Sequence, residues 1–424
     1  MAVACGIDFG TSNTAVTLWE DGVVRAVPVD PGARISDTIP TLLYFPPAGA
    51  PSFGTQAISE YLASDMVGRL LQAIKRYLPS DTFTGTVLGG RTRTIEELVS
   101  GFLLICREAL ERQAGQPVRR VLLGRPAVFH EDPRRDALAE TRLRKGAALA
   151  GFEEIEVQLE PIAAARSFER AMNRDALCLI GDLGGGTSDF TVIRLGPGRM
   201  GLRDRAADVL GSSGVSIAGN DVDARLIQIK VLPRFGYGSR WRPLKQWVPL
   251  PTHLHIAATR WHKLALEASD PANLRWLDQA LRSTDDAPGL KAFREFLHRN
   301  YGYLLFQVIE QAKVALSRGE ETTIAFHEGG VDLDEHVTRA ELEAAIGWEL
   351  QKLGQCMDDL LRRLALGPDD IGAVFLTGGT SQIPSVRDLF EARFPGRILE
   401  PDAFTAVGQG LGVEAGERFG LING

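Results

Sequence analysis

Asp182-Leu-Gly-Gly-Gly-Thr-Ser-Asp-Phe-Thr-Val192 follows directly on the apolar run Ala176-Leu-Cys-Leu-Ile180. Three consecutive glycines between two short β-rich runs predict a hairpin whose backbone passes close to something. With no side chains in the bend, Gly184, Gly185 and Gly186 can turn several N–H groups toward one anion, and phosphate is the first candidate. Asp182 and Asp189 flank the bend and would repel a bare phosphate; they make sense if magnesium accompanies it. Taken alone, the stretch reads equally well as an ordinary glycine-rich turn with acidic residues facing water.

The pattern occurs twice. Asp8-Phe-Gly-Thr-Ser-Asn-Thr-Ala-Val16 repeats the order Asp, apolar, Gly, Thr-Ser, Asn or Asp, then Val, with two fewer glycines in the bend. The self-match of Asp8 with Asp182 predicts a duplicated phosphate hairpin and two related lobes facing one ligand.

A chain of 424 residues exceeds what one core usually serves, which fits two lobes. The formal charge of −7, with both signs mixed along the chain, gives no reason to expect nucleic acid or a membrane as partner. Cys5, Cys106, Cys178 and Cys356 lie far apart, so neither a metal pair nor a disulfide framework is indicated, and a reducing cytoplasm is the expected location. The first strand starts almost at Met1 and no run of 18 apolar residues occurs, so neither a signal peptide nor a membrane span is expected.

In chain order, strands are expected at 3–7 and 14–19, a helix at 55–78 carrying Lys75-Arg76 before Pro79, and an amphipathic helix after the capping box Thr94-Ile-Glu-Glu97. A strand at 118–123, a helix at 133–151, a strand at 155–159 and a helix opening at Glu160-Pro161 follow. Strands at 192–195 and 202–210 precede a helix that opens at Ala218-Gly-Asn-Asp-Val-Asp223. The segment 237–288 holds Trp241, Trp247, Trp261 and Trp276 and reads first as a small satellite core, with a partner-binding surface as the sharper alternative. Helices at 290–317 and from the capping box Thr338-Arg-Ala-Glu341 to Gly367-Pro368 lead to a strand at 371–376 and the loop Thr377-Gly-Gly-Thr380. Helices at 384–394 and 404–417 complete the chain. Alternating strands and helices give an α/β class.

Asp8-Phe-Gly-Thr-Ser-Asn13, Asp182 to Asp189 and Leu376-Thr-Gly-Gly-Thr-Ser-Gln-Ile-Pro384 resemble the two phosphate hairpins and the adenosine motif of the actin, sugar-kinase and heat-shock ATPase superfamily. Leu149-Ala-Gly-Phe152, Glu160-Pro-Ile-Ala-Ala-Ala165, Gly219-Asn-Asp-Val-Asp223, Glu310-Gln-Ala-Lys-Val-Ala-Leu-Ser317 and Glu400-Pro-Asp402 narrow the resemblance to the DnaK-type heat-shock chaperones. It covers nearly the whole chain and is specific through the joint order of its motifs.

The resemblance implies two duplicated actin-like ATPase lobes, ribonuclease-H-like, around a nucleotide cleft that holds ATP or ADP with Mg2+. The lobes fall at 1–174 and 175–396, the second with a Trp-rich subdomain at about 218–345, and 397–424 returns as a helix to the first. Carried over by position, Gly10, Thr11, Ser12 and Asn13 hold phosphates with Gly184, Gly185 and Gly186, while Asp8 and Asp182 contact magnesium through its waters. Lys75 places the attacking water, Glu160 and Asp189 orient water and metal, and Thr187 donates to the γ-phosphate. Gly219, Glu310, Lys313, Ser317, Gly378, Gly379, Thr380, Gln382 and Asp402 take the nucleoside, and Pro161 is a hinge that reports the nucleotide state.

Val314 and Gln382 stand where the family usually has arginines that stack on adenine, and Asn220 replaces a usual glutamate. After the last helix the family continues into a peptide-binding β-sandwich, and no peptide clamp of that kind is expected here. The expected function is a cytoplasmic Mg-ATPase whose lobe closure is read by a client or co-chaperone. An actin-like filament protein, a small-molecule kinase using Asp221 or Asp223 as base, and a nucleotide sensor with little turnover are the alternatives.

Overall fold

The computed structural model describes residues 3–33, 37–64, 67–88, 90–169, 172–199, 202, 205–260, 264, 267, 270–399 and 406–420. Contacts divide the chain into two compact units, one made of Met1–Ser216, Gly354–Ser381 and Asp388–Gly424, the other of Ile217–Leu353 and Gln382–Arg387.

The first unit contains two sheets built to one plan. In the first, Val3–Phe9 pairs antiparallel with Asn13–Glu20, which pairs antiparallel with Val23–Ala26; on its other side Val3–Phe9 runs parallel to Arg120–Arg125, and that strand parallel to Glu154–Leu159. In the second, Ala176–Leu183 pairs antiparallel with Ser188–Leu195 and that strand with Val209–Val215, while Ala176–Leu183 runs parallel to Ala373–Thr377, itself parallel to Ile398–Leu399. The duplication read from Asp8 and Asp182 is therefore a duplication of sheet topology. Both aspartates are the penultimate residue of the central strand of their sheet.

Val3–Phe9 and its counterpart's parallel neighbour Ala373–Thr377 are buried on both faces, as parallel pairing under covering helices requires. Phe9 packs against Phe102 of the helix Ile95–Ala114, with ring centroids 5.7 Å apart. Phe168 of the helix Glu160–Glu169 stacks on Phe375 of the second sheet at 4.4 Å. The helix Ala406–Arg418 crosses so close that a Cβ at Gly410 would lie 1.8 Å from the Ala163 carbonyl oxygen, and one at Gly416 would lie 2.3 Å from Trp19 Nε1. Its glycines are thus required by packing.

Several expected elements are interrupted. The helix expected at 55–78 ends at Ala63; Arg69–Gln72 is a strand paired with Leu42–Phe45, and Lys75 sits on a 3-10 turn, Ile74–Tyr77. Gly68 (φ 103°) and Ala73 (φ 57°) take left-handed backbone that no helix continues through. The helix expected at 290–317 is two, Ala287–His298 and Gly302–Arg318, broken at Asn300 (φ 54°). The helix from Thr338 divides into Arg339–Ala345 and Gly347–Arg363, and the strand expected at 202–210 is Val209–Val215. Both capping boxes form, Thr94 with Glu97 and Thr338 with Glu341.

In the second unit the core is made by phenylalanines. Phe235, Phe293 and Phe296 pack together around buried His255, whose Nε2 lies 2.9 Å from the Phe235 carbonyl. Of the tryptophans in the segment expected to make a small satellite core, Trp241 and Trp276 meet edge to face, Trp247 is exposed, and Trp261 lies outside the described residues.

Candidate active site: two glycine hairpins and a buried lysine

The first hairpin turns through Gly10, where a Cβ would stand 2.0 Å from the Asn13 carbonyl oxygen, so only glycine permits the bend. The second turns through Gly184, Gly185 and Gly186, closed by Gly184 N donating to the Thr187 carbonyl at 3.1 Å. The bends face each other: a Cβ on Gly186 would meet Thr11 Cγ2 at 3.2 Å. A third loop closes on the second bend. Gly378, with φ 81°, brings its backbone so near that a Cβ would lie 2.3 Å from the Leu183 carbonyl oxygen, and Thr380 Oγ1 donates to the Gly184 carbonyl at 2.7 Å.

Lys75 Nζ donates to Glu160 Oε1 at 2.7 Å, and both side chains are about 10% exposed. The turn carrying Lys75 is held from behind by buried Arg142, whose Nη1 donates to the carbonyls of Leu78 at 2.9 Å and Ser80 at 2.6 Å. Glu160 starts its helix, where a negative charge is favoured. On the second hairpin, Thr187 Oγ1 donates to Asp189 Oδ2 at 3.0 Å; Asp182 Oδ1 accepts from Thr377 Oγ1 at 2.9 Å. Glu160, Asp182, Asp189 and Thr377 line one cleft together with Pro126 and Pro161.

The charges are out of balance. Four carboxylates, Asp8, Glu160, Asp182 and Asp189, act on one another around a single ammonium. Burial, then the charge of Glu160, raises the Asp8 carboxyl to about 8, with Lys75 opposing. Burial and then Asp182 raise Asp189 to about 7. Burial and Glu160 raise Asp182, with the Thr377 hydroxyl holding it back. For Lys75, burial works against the charge, but Glu160 and then Asp8 outweigh it, so its ammonium is held above its ordinary value. Buried hard oxygens with too little positive charge among them fit a hydrated divalent cation such as Mg2+, reached through its waters.

Of the predicted residues, Asp8, Gly10, Thr11, Ser12, Asn13, Lys75, Glu160, Asp182, Gly184, Gly185, Gly186, Thr187, Asp189, Gly378, Gly379 and Thr380 all lie in the first unit. Gly219, Glu310, Lys313, Ser317 and Gln382 lie in the second. There, Lys313 Nζ donates to Asp223 Oδ2 at 2.9 Å, and Ser317 Oγ donates to the Lys313 carbonyl. Asp402 lies outside the described residues. Sequence reasoning missed two residues, Arg142 and Arg76. Arg76 Cδ lies 3.6 Å from where a Cβ on Gly186 would stand, and its place directly after Lys75 is the signal that could have found it.

The family model described as Hsp70 protein matches residues 79–232 and 301–417. This chain belongs to the Hsp70 family. Its fold is accordingly the actin-like, two-lobe ATPase fold of that family. It is similar to the chaperone protein DnaK of Elusimicrobium minutum (strain Pei191), 26% identical over 98% of this chain and 58% of the relative. DnaK of Thermosipho africanus is 25% identical over 97% of this chain and 59% of its own length, and DnaK of Thermus thermophilus 24% over 100% and 62%. The chain thus spans about three fifths of the length of these Hsp70 relatives. Residues 233–300 fall between the two stretches that match the Hsp70 model.

Proposed function

We propose that this chain binds ATP with magnesium and hydrolyses it to ADP and phosphate. The observation that carries this reading is the buried Lys75–Glu160 pair set among Asp8, Asp182 and Asp189 beside two facing glycine bends. Phosphates would lie against Gly10 to Asn13 and Gly184 to Thr187, whose backbone N–H groups can donate to several oxygens at once. Asp8 and Asp182, through water, would hold the cation, which supplies charge neutralisation on the phosphate oxygens.

Lys75, kept protonated and fixed by Glu160, would donate toward the attacking water and the γ-phosphate, offsetting charge that grows during in-line attack. Asp189, oriented by the Thr187 hydroxyl, and Glu160 are the carboxylates able to accept from that water. Little covalent chemistry is asked of the protein. Positioning and charge supply most of the rate.

Lys313, Ser317 and Glu310 on Gly302–Arg318, with Gly219, Gly378, Gly379, Thr380, Gln382 and Asp402, would take ribose and base. Val314 and Gln382 cannot stack on adenine as arginine does, so discrimination among bases is expected to be low. The two lobes, 1–174 and 175–396, would close on ATP, and a client or co-chaperone in the cytoplasm would read the closure. Calorimetric titration with ATP, ADP and GTP, with and without magnesium, tests the reading. Magnesium-dependent binding of ATP and ADP supports it; no binding of either with magnesium contradicts it.

A further inference from the structure

Residues 240–249, Arg-Trp-Arg-Pro-Leu-Lys-Gln-Trp-Val-Pro, hold three cations and no acidic residue in a chain of formal net charge −7. They form a hairpin in which Arg240 pairs with Pro249 and Trp241 with Val248. Its base is firmly held. Arg240 donates through N and Nε to Asp285 at 2.7 and 3.0 Å, Arg242 N donates to the Ser283 carbonyl at 3.0 Å, and Trp241 meets Trp276 edge to face with centroids 5.9 Å apart.

The tip is of another character. Every residue from 242 to 249 is exposed, and Leu244 at the apex is 88% exposed. Trp247 and Val248, also exposed, continue the apolar surface below it. The guanidinium groups of Arg240 and Arg242 lie 5.8 and 5.6 Å from the Trp247 ring centroid, which keeps the indole in place beside the cations. Asp285 neutralises Arg240; no ion pair joins Arg242 or Lys245 to an acid among the described residues.

The tip thus presents one leucine, one indole and two uncompensated cations side by side on a fully exposed turn. It fits a soft apolar phase lying beneath a negative surface, with the indole at the boundary and the basic side chains above it. We infer that this hairpin docks the chain reversibly on anionic lipid, Leu244 and Trp247 entering the headgroup boundary and Arg242 and Lys245 facing the headgroup anions. The whole-chain charge conceals this, because the charge that a surface meets is local.

The test is flotation of the full chain with vesicles of phosphatidylcholine alone and of phosphatidylcholine mixed with phosphatidylserine, at low and high salt, alongside the variants Leu244→Ser and Arg242→Gln/Lys245→Gln. Binding to the phosphatidylserine vesicles alone, lost at high salt, is expected. The double variant should bind roughly 25-fold more weakly, at about fivefold per cation, and Leu244→Ser should also bind more weakly. Circular dichroism should be unchanged in both variants, since none of the three side chains is buried. No binding of the unaltered chain at low salt overturns the inference, as does binding that both variants retain. Failure to bind vesicles together with hairpin-dependent capture by an acidic protein overturns it in favour of a protein contact.

Discussion

Lys75 and Glu160 are 85 positions apart in sequence and 2.7 Å apart in space. Motif order marks each residue separately, but nothing in periodicity announces their contact, nor that Arg142 braces the turn that carries Lys75. The same site predicts a pH dependence of stability. Asp8 and Asp189, raised to about 8 and 7, bind protons more tightly when folded than when unfolded. Their contribution is therefore full below the ordinary carboxylate range and is lost as pH rises from about 4 toward 8. Melting of the nucleotide-free chain in EDTA should shift to lower temperature across that interval, and magnesium with ATP should flatten the trend. A melting temperature that rises steadily from pH 5 to pH 8 in EDTA would remove the charge imbalance described here. Glu160→Gln keeps the shape but takes away the anchor of Lys75. Turnover is expected to fall by about tenfold or more, since positioning of the ammonium is what the carboxylate supplies, with nucleotide affinity little changed in the same titration.

Among the elements, the two glycine hairpins and both capping boxes were legible because each is encoded by neighbours within a few residues. The interrupted helices were not: Ala73 carries no mark that it takes positive φ, and Asn300, a residue that tolerates it, lies inside an otherwise continuous helical pattern. Nor was the site of the strand Arg69–Gln72, whose partner Leu42–Phe45 is remote in sequence. Close approach predicts which glycines are irreplaceable. Gly378→Ala places a Cβ against the Leu183 carbonyl at positive φ, and should destabilise the fold by about 2 kcal/mol or more in urea titration. Gly410→Val, aimed at Ala163, should separate the helix Ala406–Arg418 from Glu160–Glu169 and give insoluble or poorly cooperative protein. Thr94→Ala removes a capping-box oxygen and should cost about 1 kcal/mol by the same measurement, leaving hydrolysis unchanged.

At the scale of the whole molecule, the echo of Asp8 in Asp182 is a repeat of strand order, central strand by central strand, in two sheets of one compact unit. Family membership follows from the match over 79–232 and 301–417 and agrees with that topology. The packing of Phe235, Phe293 and Phe296 around His255 in the second unit was not legible, because composition marks aromatic content without telling which rings face inward. The central proposal is that Lys75, held by Glu160 near the two facing glycine bends, makes this chain an ATP hydrolase. Single-turnover hydrolysis of magnesium-ATP by the unaltered chain and by Lys75→Ala, with ATP affinity measured on both, tests it most directly. The account predicts slow hydrolysis that falls by about 100-fold or more in the variant, the scale of losing a preorganised charge at a reacting centre, while ATP still binds; hydrolysis at the same rate in both would contradict it.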